Sequence, residues 1–216
     1  MRDERGVIFD LDGVLINSEP LHCQAFQEVL ESYGVTVTDR DYYTNYIVYS
    51  DREVLERLLP DRQSLDAAVA AKERRYWELV EAGVPPFQDG LALLAKADGW
   101  CVGLATGSIR REAELALRSL GIRDRFQAIV AREDCRRGKP DPEPFLCAAE
   151  RLKLPVCQCV VIEDTPGGVQ AAKAAGMIAV AVTHTCPRSR LIGADLVVDN
   201  LATVDLDGIL ALGGVR

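Results

Sequence analysis

Histidine is scarce in this sequence: among 216 residues there are only His22 and His184. Two histidines far apart make a zinc–histidine site improbable. The seven cysteines are odd in number and form no CxxC pair; Cys157 and Cys159, one residue apart, fall before or in an expected strand. They are expected to be reduced, mostly buried thiols with no redox or zinc role. Long apolar runs are missing too. A charged start, Met1 to Gly6, leads into three apolar residues only, so neither a secretory signal nor a membrane span is read, and a cytoplasmic protein is expected. There is no basic surplus: 25 Lys and Arg face 33 Asp and Glu, for a net charge of -8. That balance argues against nucleic-acid or anionic-membrane partners, while a local cationic pocket remains compatible with it. Internal repeats and low-complexity segments are absent as well. A 48% hydrophobic composition is ordinary for a globular chain, and the length fits one domain or one and a half.

The informative stretch is Gly6 to Glu19, GVIFDLDGVLINSE. Val7, Ile8 and Phe9 suit a buried strand of a parallel sheet. The run stops at Asp10, and Asp12 and Gly13 follow. Open parallel sheets bind ligands beyond the carboxyl ends of their strands. If the extended chain persists, Asp10 and Asp12 project to one side and Leu11 to the other. Two such close carboxylates repel, and Mg²⁺, an oxygen-seeking cation, relieves the repulsion. An Asp-Gly turn with solvated acids is the plainer interpretation of these residues alone.

From Pro20 to about Pro86 the apolar residues recur at helical spacing. Leu21, Ala25, Val29 and Leu30 mark one helix, ending near Gly34. Ser50 or Asp51 is placed to cap a second, with Val54, Leu55, Leu58 and Leu59 on one face and Pro60 closing it. Leu65 to Val80 predicts a third. Tyr42 to Tyr49 is ambiguous, and no strand stands out. Gly83 to Gly90 is a turn-rich connection. From Leu91 the pattern alternates: helices over 91–97, 110–120, 142–152 and 167–175, and strands over 100–105, 126–131, 159–162, 178–182 and 194–198. A weak helix, 201–212, ends the chain. Such alternation means βα units around a parallel sheet. The expected fold is α/β, a Rossmann-like parallel-sheet core over 1–15 and 87–216, with an inserted all-helical domain over 16–86. An insert placed directly after Asp12 belongs over the carboxyl edge of the sheet, as a lid.

Three more strand ends carry polar clusters. Thr106, Gly107 and Ser108 precede a helix, where hydroxyls and free N–H groups bind anions; helix capping is the competing role. Lys139 lies between Gly138 and Pro140 in a rigid loop, and a point charge there suits phosphate, although a lone lysine is usually solvated. Glu163 and Asp164 end the 159–162 strand; acids also simply complement a helix N-terminus. Four successive strand ends carrying acid, hydroxyl, lysine and acid are hard to reconcile with four independent structural roles. Together, Asp10 and Asp164 would hold Mg²⁺, with Glu163 as ligand or supporting partner, while Thr106 and Lys139 each bind a phosphoryl oxygen. A carboxylate left free can attack phosphorus to form an aspartyl-phosphate. Asp12 would protonate the leaving oxygen and then deprotonate water, a role needing a raised pKa.

Over essentially its whole length the sequence resembles the haloacid dehalogenase-like superfamily. FDLDGVL, LATGS, GKPDPEPF and VIEDTPGGVQAAKAAGM match the four family motifs in order. The resemblance implies Asp10 as nucleophile, Asp12 as general acid/base, and Thr106 with Gly107 and Ser108 at the phosphate. Lys139 takes the lysine position, and Glu163 with Asp164 the acidic metal pair. It also implies a Mg²⁺ ligand from the backbone carbonyl of Asp12. The helical insert resembles the cap of the β-phosphoglucomutase-like branch, and His22, Arg52 and Lys72 fall near positions used by its mutases. Asn17 departs from the Asp usual in that branch, and Thr165-Pro166 from its usual Ser plus a variable residue. A Mg²⁺-dependent phosphatase of a small phosphorylated metabolite is expected, with a sugar-phosphate mutase as the alternative and a non-catalytic phosphate-binding protein behind both. Dehalogenase and phosphonate chemistry are disfavoured because Asp12 is present. Substrate identity and oligomeric state stay open, a monomer being favoured.

Overall fold

The computed structural model describes residues 5–46, 49–59 and 61–213. The chain divides into two compact units, Met1–Asn17 with Pro85–Arg216, and Ser18–Val84.

The first unit is an α/β domain. Its strands are β1 (Gly6–Phe9), β2 (Cys101–Ala105), β3 (Ala128–Val130), β4 (Cys159–Glu163), β5 (Ile178–Val182) and β6 (Leu196–Val198). They form one sheet in the order β3-β2-β1-β4-β5-β6, with every adjacent pair parallel. This is the Rossmann-like order, in which the chain reverses its direction of travel beside β1. Val7, Ile8 and Phe9 are fully buried, and Phe9 lies opposite both Leu104 and Ile162. With consecutive residues buried, both faces of β1 are covered, as in a central strand of a parallel sheet.

The connecting helices are α5 (Gln88–Lys96), α6 (Arg110–Ser119), α7 (Glu143–Leu152), α8 (Pro166–Ala174) and α9 (Leu206–Gly213). On one side of the sheet Phe145, Ala148 and Leu152 of α7 and Val169, Ala171 and Ala172 of α8 share a core with Ile8, Val130 and Val161. Truncating the fully buried Phe145 to alanine would cost about 3–5 kcal/mol. The terminal helix is shorter than expected: residues 201–203 form a single 3-10 turn, capped by Asn200 accepting from the Ala202 N–H, and α9 starts at Leu206.

The second unit is helical: α1 (Glu19–Glu31), α2 (Asp39–Asn45), α3 (Asp51–Leu58) and α4 (Leu65–Ala82). Phe26, Val29, Leu30, Tyr42, Val54, Leu55 and Ala68 make its own core. The ambiguous Tyr42–Tyr49 stretch contributes the end of α2, with Ile47 and Val48 outside the described residues. What decides for helix is its start. Thr38 accepts from the Asp41 N–H, and Asp41 accepts in turn from the Thr38 N–H, a reciprocal cap that supports one short helix. Ser50 and Glu53 do the same for α3, so Ser50 is the cap and Asp51 is released for another role. Pro60, expected to close α3, lies outside the described residues.

All seven cysteines are free thiols. The expectation that most are buried fails: only Cys23 and Cys159 are, Cys157 is exposed and four are half-buried. Cys101, Cys135, Cys147 and Cys186 pack against the edge of the main core rather than within it.

Candidate active site

β1 and β4 are neighbours, so the residues just past their ends are neighbours too. The Asp10 N–H donates to the Ile162 carbonyl at 2.9 Å, carrying the ladder one residue beyond β1. Asp10, Glu163 and Asp164 are all buried, and each offers an oxygen within 4.8 Å of the others. Lys139, from the loop before α7, donates to Asp10 Oδ1 at 2.6 Å and to Glu163 Oε1 at 2.5 Å. That loop is held by Glu143, which accepts from the N–H groups of Arg136 and Arg137, and Phe145 lies 4.9 Å beneath the ammonium.

The charges interact strongly at this depth. Burial pushes Asp10 well above the ordinary carboxylate range; Lys139 opposes this, and Glu163 and Asp164 add to it. Burial and the Glu163 charge raise Asp164 to about 7. Burial would also raise Glu163, but the Lys139 ammonium and the Thr165 donors outweigh it and hold this acid below its usual value. Burial would depress Lys139, yet Asp10 and Glu163 keep it above the ordinary lysine range. Lys139 is thus a fixed cation, and Glu163 is the charged partner that keeps it so.

Glu163 has both oxygens engaged. Oε1 takes Lys139, and Oε2 accepts from the Asp164 N–H, the Thr165 N–H and the Thr165 hydroxyl. It can approach because residue 168 is glycine: a Cβ there would lie 1.8 Å from the Glu163 carboxyl carbon. Asp164 differs. Its Oδ2 accepts from the Thr185 hydroxyl, while its buried Oδ1 has no hydrogen-bond partner. An orphaned carboxylate oxygen is costly unless something else meets it. A cation beside Asp10 and Asp164 would meet it, and an oxygen-only donor set suits Mg²⁺. The residues present therefore fit the metal: Asp10 and Asp164 would hold it, with Glu163 beside them.

Asp12 is not part of that carboxylate cluster. Its Oδ2 accepts from the Ser108 hydroxyl at 2.8 Å. The expected backbone contribution of Asp12 is unaffected. Ser108 in turn donates its N–H to Thr106 Oγ1 at 3.0 Å, and Thr106 is buried at the end of β2. A Cβ on Gly107 would meet nothing within 4 Å, so space lies open beside this turn. The first unit thus brings together Asp10, Asp12, Thr106, Gly107, Ser108, Lys139, Glu163 and Asp164.

Sequence reasoning missed Thr185 and the Ser108–Asp12 bond. Thr185 lies just beyond the end of β5, and the strand-end pattern already followed for four other strands would have led to it.

In the helical unit, Lys72 of α4 is fully buried and donates to Asp51 Oδ2 at 2.6 Å. Its Nζ lies 2.6 Å from His22 Nδ1, and the His22 ring stacks on Tyr76 at 4.0 Å. Burial and then the Lys72 charge push His22 down to about 3. A neutral Nδ1 can accept from the ammonium. Arg52 is not in this group; it pairs with the exposed Asp66 at the surface. Asp51, noticed in the sequence only as a possible cap, is the third member instead.

A family model described as haloacid dehalogenase-like hydrolase matches residues 7–182, and the chain belongs to that family. Over 178 residues, covering 79% of this chain and 81% of the relative, it is 36% identical to a phosphorylated carbohydrates phosphatase of Thermotoga maritima. It is 34% identical to the β-phosphoglucomutase of Bacillus subtilis, across 94% of this chain and 92% of that one. Among solved structures, CbbY from Rhodobacter sphaeroides in complex with phosphate superposes with a TM-score of 0.79 at 26% identity, covering 95% of this chain and 99% of that one.

Proposed function

We propose that this protein is a Mg²⁺-dependent phosphatase that hydrolyses a small phosphomonoester, such as a phosphorylated sugar, through an aspartyl-phosphate on Asp10. The observation that carries the reading is the salt-bridged triad of Asp10, Lys139 and Glu163 beside the orphaned oxygen of Asp164. Lys139 and the Thr106–Ser108 turn bind phosphoryl oxygens, replacing water around the dianion. Lys139 also orients Asp10 by holding Oδ1, leaving Oδ2 for attack in line with the leaving oxygen. When bound, Mg²⁺ neutralises charge on the transferring group and on Asp10, so that one anion can approach another. Asp12, steadied by Ser108, delivers a proton to the leaving oxygen. It then takes one from the water that attacks the aspartyl-phosphate.

A panel of phosphorylated sugars and other small metabolites, assayed for released phosphate with and without Mg²⁺, tests the reading. Mg²⁺-dependent turnover of at least one monoester is the expected outcome; none across the panel would refute it.

A second reading, a mutase that moves phosphate between sugar hydroxyls, is favoured by the grouping of His22 and Asp51 around the buried Lys72 ammonium and by the Bacillus subtilis relative. It predicts that turnover needs a glucose bisphosphate primer and releases little free phosphate. Phosphatase action needs no primer. We further propose that the helical unit is the substrate-selecting cap, and that the protein works on a soluble metabolite in the cytoplasm.

A further inference from the structure

His184 has no place in the chemistry above, yet it is built into the loop that carries Asp12. It lies just past the end of β5, with a side chain only 12% exposed. Its Nδ1 is 2.8 Å from the Gly13 carbonyl. A carbonyl can only accept, so Nδ1 is the donor. Its Nε2 is 3.1 Å from Asp89 Oδ2, which also accepts from the Leu201 N–H at 2.8 Å. The Phe87 ring stacks on the imidazole at 4.0 Å, with planes 10° apart. The imidazole therefore has its position set on two edges and one face.

Gly13 needs this support. It has φ +78, a conformation other residues adopt with strain, and a Cβ on it would lie 2.0 Å from Asp164 Oδ2. Its N–H donates to the Ile16 carbonyl. The two segments that His184 touches are also tied to each other: the Phe87 N–H donates to the Leu15 carbonyl, and the Asn17 N–H to the Pro85 carbonyl. Both passages of the chain out of and back into the α/β unit thus meet at one imidazole.

We propose that His184, held by Asp89, is a positioning residue for Asp12. By donating to the Gly13 carbonyl it fixes the Gly13–Val14 peptide, the second one past Asp12, and with it the turn that sets where the Asp12 carboxyl can deliver its proton. The proposal rests on the reading of Asp12 as general acid. It predicts a defect that depends on the leaving group. An alkyl alcohol leaves poorly without a proton, whereas p-nitrophenolate leaves readily without one.

The stereochemistry of amides supplies the test. An asparagine side-chain nitrogen falls near the position of Nδ1, and a glutamine nitrogen near that of Nε2. His184→Asn therefore keeps the donor to Gly13, and His184→Gln keeps only the link to Asp89. With glucose 6-phosphate, kcat/KM of H184Q should fall about 100-fold, against about tenfold or less with p-nitrophenyl phosphate. H184N should stay within about threefold of the parent on both. Equal losses on the two substrates, or H184N as impaired as H184Q, would overturn the proposal while leaving the phosphatase reading intact. If the parent enzyme hydrolyses neither ester, crystal structures of the two variants decide the positioning role, and the phosphatase reading falls only if no monoester of the wider panel is turned over. Displacement of the Gly13 carbonyl and the Asp12 carboxyl in H184Q but not in H184N supports it; unchanged positions in both overturn it.

Discussion

The two units of this chain handle a buried lysine in opposite ways. In the α/β unit, Lys139 meets two carboxylates, Asp10 and Glu163, and both are buried with it. In the helical unit, Lys72 meets the partly exposed Asp51 and an uncharged imidazole. The first arrangement carries surplus negative charge, which raises Asp10 and Asp164 and creates a demand for a further cation. The second sets its ammonium against a carboxylate that reaches solvent, with His22 kept neutral by burial and the nearby cation. Surplus charge is costly in the fold and useful to chemistry; an ammonium paired with a carboxylate that reaches water can be left in place as a polar anchor.

Removing the nucleophile should give the largest effect. Asp10→Asn keeps the shape and removes the attacking carboxylate, so phosphate release should drop by about 10³-fold or more while the circular dichroism spectrum is unchanged. Normal turnover by this variant would place the nucleophile elsewhere. Next comes Gly168→Ala. Because its Cβ would collide with the Glu163 carboxyl, the acid must move and loosen Lys139. A loss of about 1–3 kcal/mol in urea unfolding is expected, with a fall in kcat beyond that of the folded fraction.

The metal demand can be read from pH. A carboxyl whose pKa is higher in the folded chain than in the unfolded one favours the fold at low pH. For Asp164, shifted from 3.8 to about 7, that advantage disappears as pH rises through about 7. Mg²⁺ should therefore raise the melting temperature more at pH 8 than at pH 5.5, where it must displace a proton. Asp164→Asn should remove most of that difference. An equal Mg²⁺ shift at both pH values would mean that these acids are not the binding site.

A comparable loss of stability is expected at the Lys72 cluster of the helical unit. Lys72→Met should cost about 1.5–3 kcal/mol, since Asp51 loses a charged donor but keeps access to water. With the nearby cation gone, His22 should titrate at a higher pH, visible in its ring proton NMR shifts. An unchanged His22 titration would show that burial alone sets it. Arg52→Ala, by contrast, breaks only an exposed pair and should be almost silent.

Much of the site was legible because its side chains lie at strand ends, and strand ends can be read locally. Asp10, Thr106 and Glu163 each follow an apolar run that could only be a buried strand. Lys139 was legible from the prolines and glycine around it. The surface pairing of Arg52 with Asp66 was not legible because spacing along a helix does not say which face is turned inward; at α3 it is Asp51 that meets Lys72. The start of α2 at Thr38 was missed because a reciprocal cap is only two side chains, easily lost among aromatic residues that suit strand and helix alike. The half-buried cysteines show the same limit, since hydrophobic character does not say which residues reach the core's centre.

What the sequence determines by itself is the kind of group at each strand end, the caps that begin the helices, and the alternation that makes a parallel sheet. These are decided by neighbours within a few residues, through dihedral preference and apolar periodicity. Which groups meet was decided only in three dimensions. Ser108 reaches Asp12 across 96 residues and His184 reaches Gly13 across 171, because β1 lies between β2 and β4 and β5 adds beyond. Strand order is settled by the packing of every helix against the sheet, and no local stretch of sequence carries that information.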